Sequence, residues 1–168
     1  STSAYGHPRD REEPVDESNP LGENVWVLDY YTHAKVECER LLWRMAETDG
    51  LPLTVIRPSW IFGERDRTTI PRLIREFRWG RVSIVGKGDN PLSAVYAGVV
   101  ADAMILAADD AGSVGEAYNV TSHSAITQRR FLDVLADAIG VSRVTWRYPY
   151  WYAFYGGFSL ELRERLLR

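Results

Sequence analysis

The chain has 168 residues, 45% hydrophobic and 26% charged, the balance of a soluble globular domain with a real core. A formal net charge of −3 argues against any global drive toward nucleic acid or an anionic membrane. A single cysteine, Cys38, excludes an intrachain disulfide and fits a cytoplasmic setting, and no apolar run is long enough to span a bilayer.

Residues 1–6 read as the end of a strand running into a loop, and 7–24, with Pro8, Pro14, Pro20 and many acids, as a surface loop. An amphipathic helix is predicted from Tyr31 to Glu47, with Val36, Leu41, Leu42 and Met45 as its apolar positions and Cys38 as a small buried residue. Asp49-Gly50 ends it. Leu53 to Ile56 is predicted as a strand stopped by Arg57-Pro58, so strand, helix and strand suggest a parallel β-α-β unit. A second helix is expected from Pro71 to Trp79, a strand from Val82 to Val85 and a turn from Gly86 to Pro91. Ser93 to Tyr96 reads as extended, 99–108 as helix and Ala117 to Val120 as strand. Thr127 has the look of an N-cap for a helix from Gln128 to Ile139, closed by Gly140. Val144 to Arg147 reads as a last strand, and the aromatic-rich Tyr150 to Leu167 as helix. Ser1 in place of Met, and a helical pattern still running at Arg168, suggest a piece of something longer.

Tyr31 and Lys35 stand four apart in the first helix, which puts a phenol beside an ammonium group. A free phenol titrates near ~10, too high for efficient proton transfer at neutral pH, and a nearby cation favours its ionised form. The pair is therefore a candidate acid/base device. The plain alternative is an exposed aromatic with a neighbouring lysine.

The order of motifs is more specific than any one of them. Ser1-Thr2-Ser3-Ala4-Tyr5-Gly6, then Tyr31-x-x-x-Lys35, then Ile56-Arg57-Pro58-Ser59-Trp60-Ile61-Phe62-Gly63 resemble the extended short-chain dehydrogenase/reductases, the NAD-dependent epimerase/dehydratase family. Ile84 to Asn90 resembles the family's substrate-domain turn, and Gly115 to Val120 its Gly-x-x-Tyr-Asn-Val strand. The resemblance implies an α/β fold: the later part of a doubly wound, Rossmann-like parallel sheet plus a small C-terminal substrate-binding lobe. Residues 1–63 would be the end of the cofactor domain, and 64–168 mainly the substrate lobe with return segments to the sheet. It further implies an NAD(P)-dependent oxidoreductase acting on a secondary alcohol or ketone. Tyr31 would be the acid/base, Lys35 would assist it and bind the ribose of the cofactor, and Ser1 would hydrogen-bond the reacting oxygen. Ser3 is expected on the same side of the strand as Ser1. Strand-end hydroxyls satisfying local backbone are the alternative. Pro58, Ser59, Trp60 and Ile61 would lie against the nicotinamide of NAD or NADP. Ser3, Ala4, Tyr5, Asn90 and Leu92 would face a small-molecule substrate. A homodimer through the Tyr31 helix is the expected assembly.

Two departures qualify this. Gly-x-Gly-x-x-Gly is absent from the chain, so the chain as given is expected to bind dinucleotide poorly and to be inactive alone. Leu92 stands where nucleotide-sugar members carry an arginine. That favours a branch like the 3β-hydroxysteroid dehydrogenases over a sugar epimerase or dehydratase, and the aromatic run from Tyr148 to Tyr155 is a candidate apolar substrate wall. A non-catalytic binding module that lost its cofactor loop is the rival from another class. His7, His33 and His123 lack metal-ligand spacing, so no metal site is expected, and Arg72, Arg75 and Arg78 read as a solvated helix face.

Overall fold

A computed structural model describes residues 1–7, 14–122 and 126–156. In chain order, a 3₁₀ turn at Thr2–Tyr5 precedes α1 (Tyr30–Asp49), β1 (Val55–Pro58), β2 (Trp60–Phe62), α2 (Thr69–Arg78), β3 (Ile84–Val85) and β4 (Pro91–Leu92). Then follow β5 (Ala94–Tyr96), α3 (Ala97–Asp109), β6 (Ala117–Val120), β7 (Ile126–Thr127), α4 (Gln128–Ile139) and β8 (Arg147–Tyr148). Residues 150–156 are helical, and the rest of the expected last helix lies outside the described residues. The chain is α/β and divides into two compact units, 1–64 with 93–123, and 65–92 with 124–168.

In the first unit β1 runs parallel to β6, with Val55 opposite Ala117 and Pro58 opposite Val120, and β2 runs parallel to β5. Helix α3 packs on β1 and β6, and Val95, Val100 and Val120 form the buried cluster, with Ile56 and Ala103 against it. Helix α1 starts because the Asp29 carboxylate caps it, accepting from Thr32 N at 3.0 Å and from the Thr32 hydroxyl at 2.6 Å. Those bonds, the side-chain one foremost, hold the Asp29 carboxyl below its ordinary range. The helix ends at Gly50, whose φ of 68° is left-handed.

The second unit pairs β3 parallel to β8 and β4 antiparallel to β7. Its core is Phe77, Ile84, Leu132, Ala136 and Val144. Thr127 caps α4, its hydroxyl accepting from Arg130 N at 3.2 Å, and Gly140 closes the helix at φ 70°. Arg72, Arg75 and Arg78 lie exposed on α2, where Arg75 and Arg81 flank the Trp79 ring at 5.6 and 4.6 Å.

Several local expectations change. Ser1 to Gly6 is not a strand end: Ala4 N donates to Ser1 O at 3.0 Å and Gly6 N to Ser3 O at 3.1 Å, which curls the segment into a 3₁₀ turn. The inward face of α1 is Thr32, Val36 and Glu39, at helical spacing, so Leu41, Met45 and Cys38 are exposed. β1 starts two residues late and runs through Pro58. Val55 N donates to Glu116 O and Ser59 N to Val120 O, so alternate residues bond to β6 and Pro58, between them, needs no N–H on that side. The last strand is shifted likewise to Arg147–Tyr148, because Ile84 N and Gly86 N bond to Trp146 O and Tyr148 O, while Val144 packs in the core.

Candidate functional site

The C-terminal ends of parallel strands are where open α/β sheets receive ligands. In the first unit that edge carries the turn from Pro58 into Trp60, and the 3₁₀ turn packs against both α1 and β1. Ser1–Tyr5 thus meets both α1, which carries Tyr31 and Lys35, and β1, which leads into the Pro58–Ile61 turn.

Tyr31 and Lys35 lie on the outer side of α1, with Tyr31 61% exposed. The Lys35 ammonium lies over the Tyr31 ring, 5.5 Å from its centroid. Ser1 is half-buried and its hydroxyl accepts from Ser3 N at 3.3 Å. Because the segment is a 3₁₀ turn, strand alternation no longer relates Ser3 to Ser1. Ala4 and Tyr5 are 1% and 2% exposed, so their side chains anchor the segment and offer a ligand little surface.

Ser59 N holds Val120 O at 3.0 Å and Trp60 N holds Ser93 O at 3.1 Å, while Ile61 is exposed. Ser59 Oγ is buried with no hydrogen-bond partner among the described residues. An orphaned hydroxyl of this kind costs free energy. Asn90 and Leu92 belong to the second unit, where Asn90 O accepts from Gln128 N and Leu92 pairs with Ile126. The described part of the aromatic run stacks on itself, Tyr148 on Tyr152 at 5.3 Å, and is largely exposed. No metal-holding cluster of His, Cys, Asp or Glu occurs among the described residues.

Sequence reasoning missed a buried polar network. Arg57, 4% exposed, donates through Nε and Nη2 to Glu39 Oε1 at 2.9 and 2.5 Å, and through Nη1 to the Tyr5 hydroxyl at 2.5 Å. The Tyr5 hydroxyl donates to Asn119 Oδ1 at 2.9 Å, and Trp43 Nε1 donates to Glu39 Oε1 at 3.3 Å. Burial works to lower the Arg57 pKa, but the bonds to Glu39 and Tyr5 outweigh it and the net shift is upward. Two signals could have found it: an arginine directly after the apolar pair Val55-Ile56 of a strand, and Glu39 four residues beyond Lys35. Each step of four residues turns a helix by about 40°, which carries the face from open at Tyr31 to buried at Glu39.

The model of the NAD dependent epimerase/dehydratase family matches residues 1–121. The chain belongs to this family. Among relatives, the 2-alkyl-3-oxoalkanoate reductase of Shewanella oneidensis is 27% identical over 99% of this chain and 46% of its own length. The mouse decarboxylating sterol-4-alpha-carboxylate 3-dehydrogenase is 33% identical over 80% of this chain and 39% of its own. The solved fold of RMD from Pseudomonas aeruginosa with NADPH superposes at a TM-score of 0.69 with 22% identity, over 89% of this chain and 52% of that one. A dTDP-glucose 4,6-dehydratase from Streptomyces venezuelae with NAD gives 0.68 at 21% identity, over 88% and 45%. The epimerase/dehydratase fold is thus the one seen here, and the chain spans less than half the length of the curated relatives it matches. Among the described residues no helix is long and apolar enough to cross a membrane.

Proposed function

We propose that the whole protein is a nicotinamide-dependent oxidoreductase that interconverts a secondary alcohol and a ketone, with Tyr31 as acid/base. The observation carrying this is the Lys35 ammonium 5.5 Å from the centre of the Tyr31 ring on an open helix face. In the oxidative direction Tyr31 takes the hydroxyl proton, with the Lys35 ammonium held over its ring. Ser1 orients the reacting oxygen by a hydrogen bond. Lys35 also reaches the ribose, while Pro58 to Ile61 bound the nicotinamide side. NAD or NADP, when bound, supplies the hydride acceptor.

The names of two relatives suggest a substrate class. A 2-alkyl-3-oxoalkanoate and a sterol 4-carboxylate oxidised at position 3 share one motif, a carboxylate on the carbon next to the carbinol or ketone. Hydroxy acids of that pattern are the first probes. A homodimer through α1 fits its exposed Tyr30, Leu41 and Met45, and size-exclusion chromatography tests it. The free, exposed Cys38 is compatible with a reducing cytoplasm.

Tyr31→Phe in the full-length protein tests the role. Loss of a positioned acid/base lowers kcat by about 10²–10⁴-fold with circular dichroism unchanged. Parent-level turnover in the folded variant removes Tyr31 from the mechanism.

A further inference from the structure

We propose that Glu39, Arg57 and Tyr5 are positioning residues that set the mutual geometry of the three segments bearing the expected chemistry, an inference that rests on the acid/base reading of Tyr31. Each belongs to a different segment. Tyr5 closes the turn that holds Ser1, Glu39 lies one helical turn beyond Lys35, and Arg57 immediately precedes Pro58. All three are buried, at 2%, 6% and 4% exposure, and one guanidinium joins them.

The composition of the α1 inner face explains why such a tie matters. Only Thr32, Val36 and Glu39 are buried in this 20-residue helix. Apolar contact alone would let the helix slide or roll against its neighbours, because it has no direction. Nε and Nη2 converging on one carboxylate oxygen do have direction, and they fix the helix axially and in rotation. A buried pair adds little stability over a well-packed apolar pair, so its distinctive contribution is geometric. Misplacing a reacting group by about 1 Å costs on the order of 10²-fold in rate.

The test uses full-length protein carrying Glu39→Leu with Arg57→Met, and separately Tyr5→Phe, with Tyr31→Phe alongside. Each is titrated with NADH and NADPH by nucleotide fluorescence and assayed with NAD⁺ or NADP⁺ on a 2-alkyl-3-hydroxy acid. The expected result for the double variant is a thermal midpoint close to or above the parent's, a kcat about 10–100-fold lower and a cofactor dissociation constant several-fold higher, because Lys35 moves. Parent kcat and parent cofactor affinity in a folded double variant overturn the proposal. Should the double variant not fold, Tyr5→Phe, which deletes one hydroxyl, decides by the same two readouts. Should Tyr31→Phe keep full activity, the acid/base reading fails by itself, and cofactor affinity in the double variant still decides the positioning role.

Discussion

Replacing Glu39 by alanine should be among the most damaging single changes in the first unit. Glu39 Oε1 accepts from Arg57 Nε, Arg57 Nη2 and Trp43 Nε1, and its residue is 6% exposed. Truncation leaves a guanidinium, 4% exposed and always protonated, with the Tyr5 hydroxyl as its remaining hydrogen-bond partner. Leaving one charge of a buried pair uncompensated costs about 3–5 kcal/mol. Against a typical total of about 5–15 kcal/mol, that is a large share of the stability. The double change Glu39→Leu with Arg57→Met removes both charges and should return to within about 1 kcal/mol of the parent, or exceed it. Urea denaturation of the full-length protein, followed by tryptophan fluorescence and far-UV circular dichroism, measures all three. A loss below about 1 kcal/mol for Glu39→Ala, the range of solvent-exposed pairs, would refute the reasoning, since the pair would then be hydrated.

Gly6→Ala and Gly140→Ala form a contrasting pair. Both glycines have left-handed φ, 79° and 70°, but a Cβ at Gly6 would sit 2.2 Å from Glu23 O, whereas at Gly140 it meets nothing within 4 Å. Denaturation midpoints should show a cost of about 1 kcal/mol at Gly140 and at least about 3 kcal/mol at Gly6. Asp66 accepts from the N–H groups of Ile70, Thr68 and Thr69, chiefly the first two, and these hold its carboxyl at about 2 against an ordinary 3.8. A depressed pKa stabilises the folded form fully above 3.8, and the benefit is lost as pH falls toward about 2. Asp66→Asn should flatten the acid unfolding profile over that window, and an unaltered profile would remove the capping role of Asp66 at α2.

Much of the secondary structure was legible because its signals are local. Thr127 caps the helix it begins, Gly50 and Gly140 end theirs, and Ala117–Val120 is a strand where expected. The Tyr31–Lys35 spacing, the feature on which the functional reading turns, is also local, because one helical turn brings the two side chains together. Other features were decided only by the tertiary structure. Leu41 and Met45 face outward and Glu39 inward, which amphipathic periodicity by itself did not foretell. Arg57 meets Glu39 across 18 positions, and Tyr5 meets Asn119 across 114. The reason is physical: caps and turns are satisfied within a few residues of chain. Whether a charge can be buried depends on what the fold places opposite it, and a short stretch of sequence carries no record of that partner.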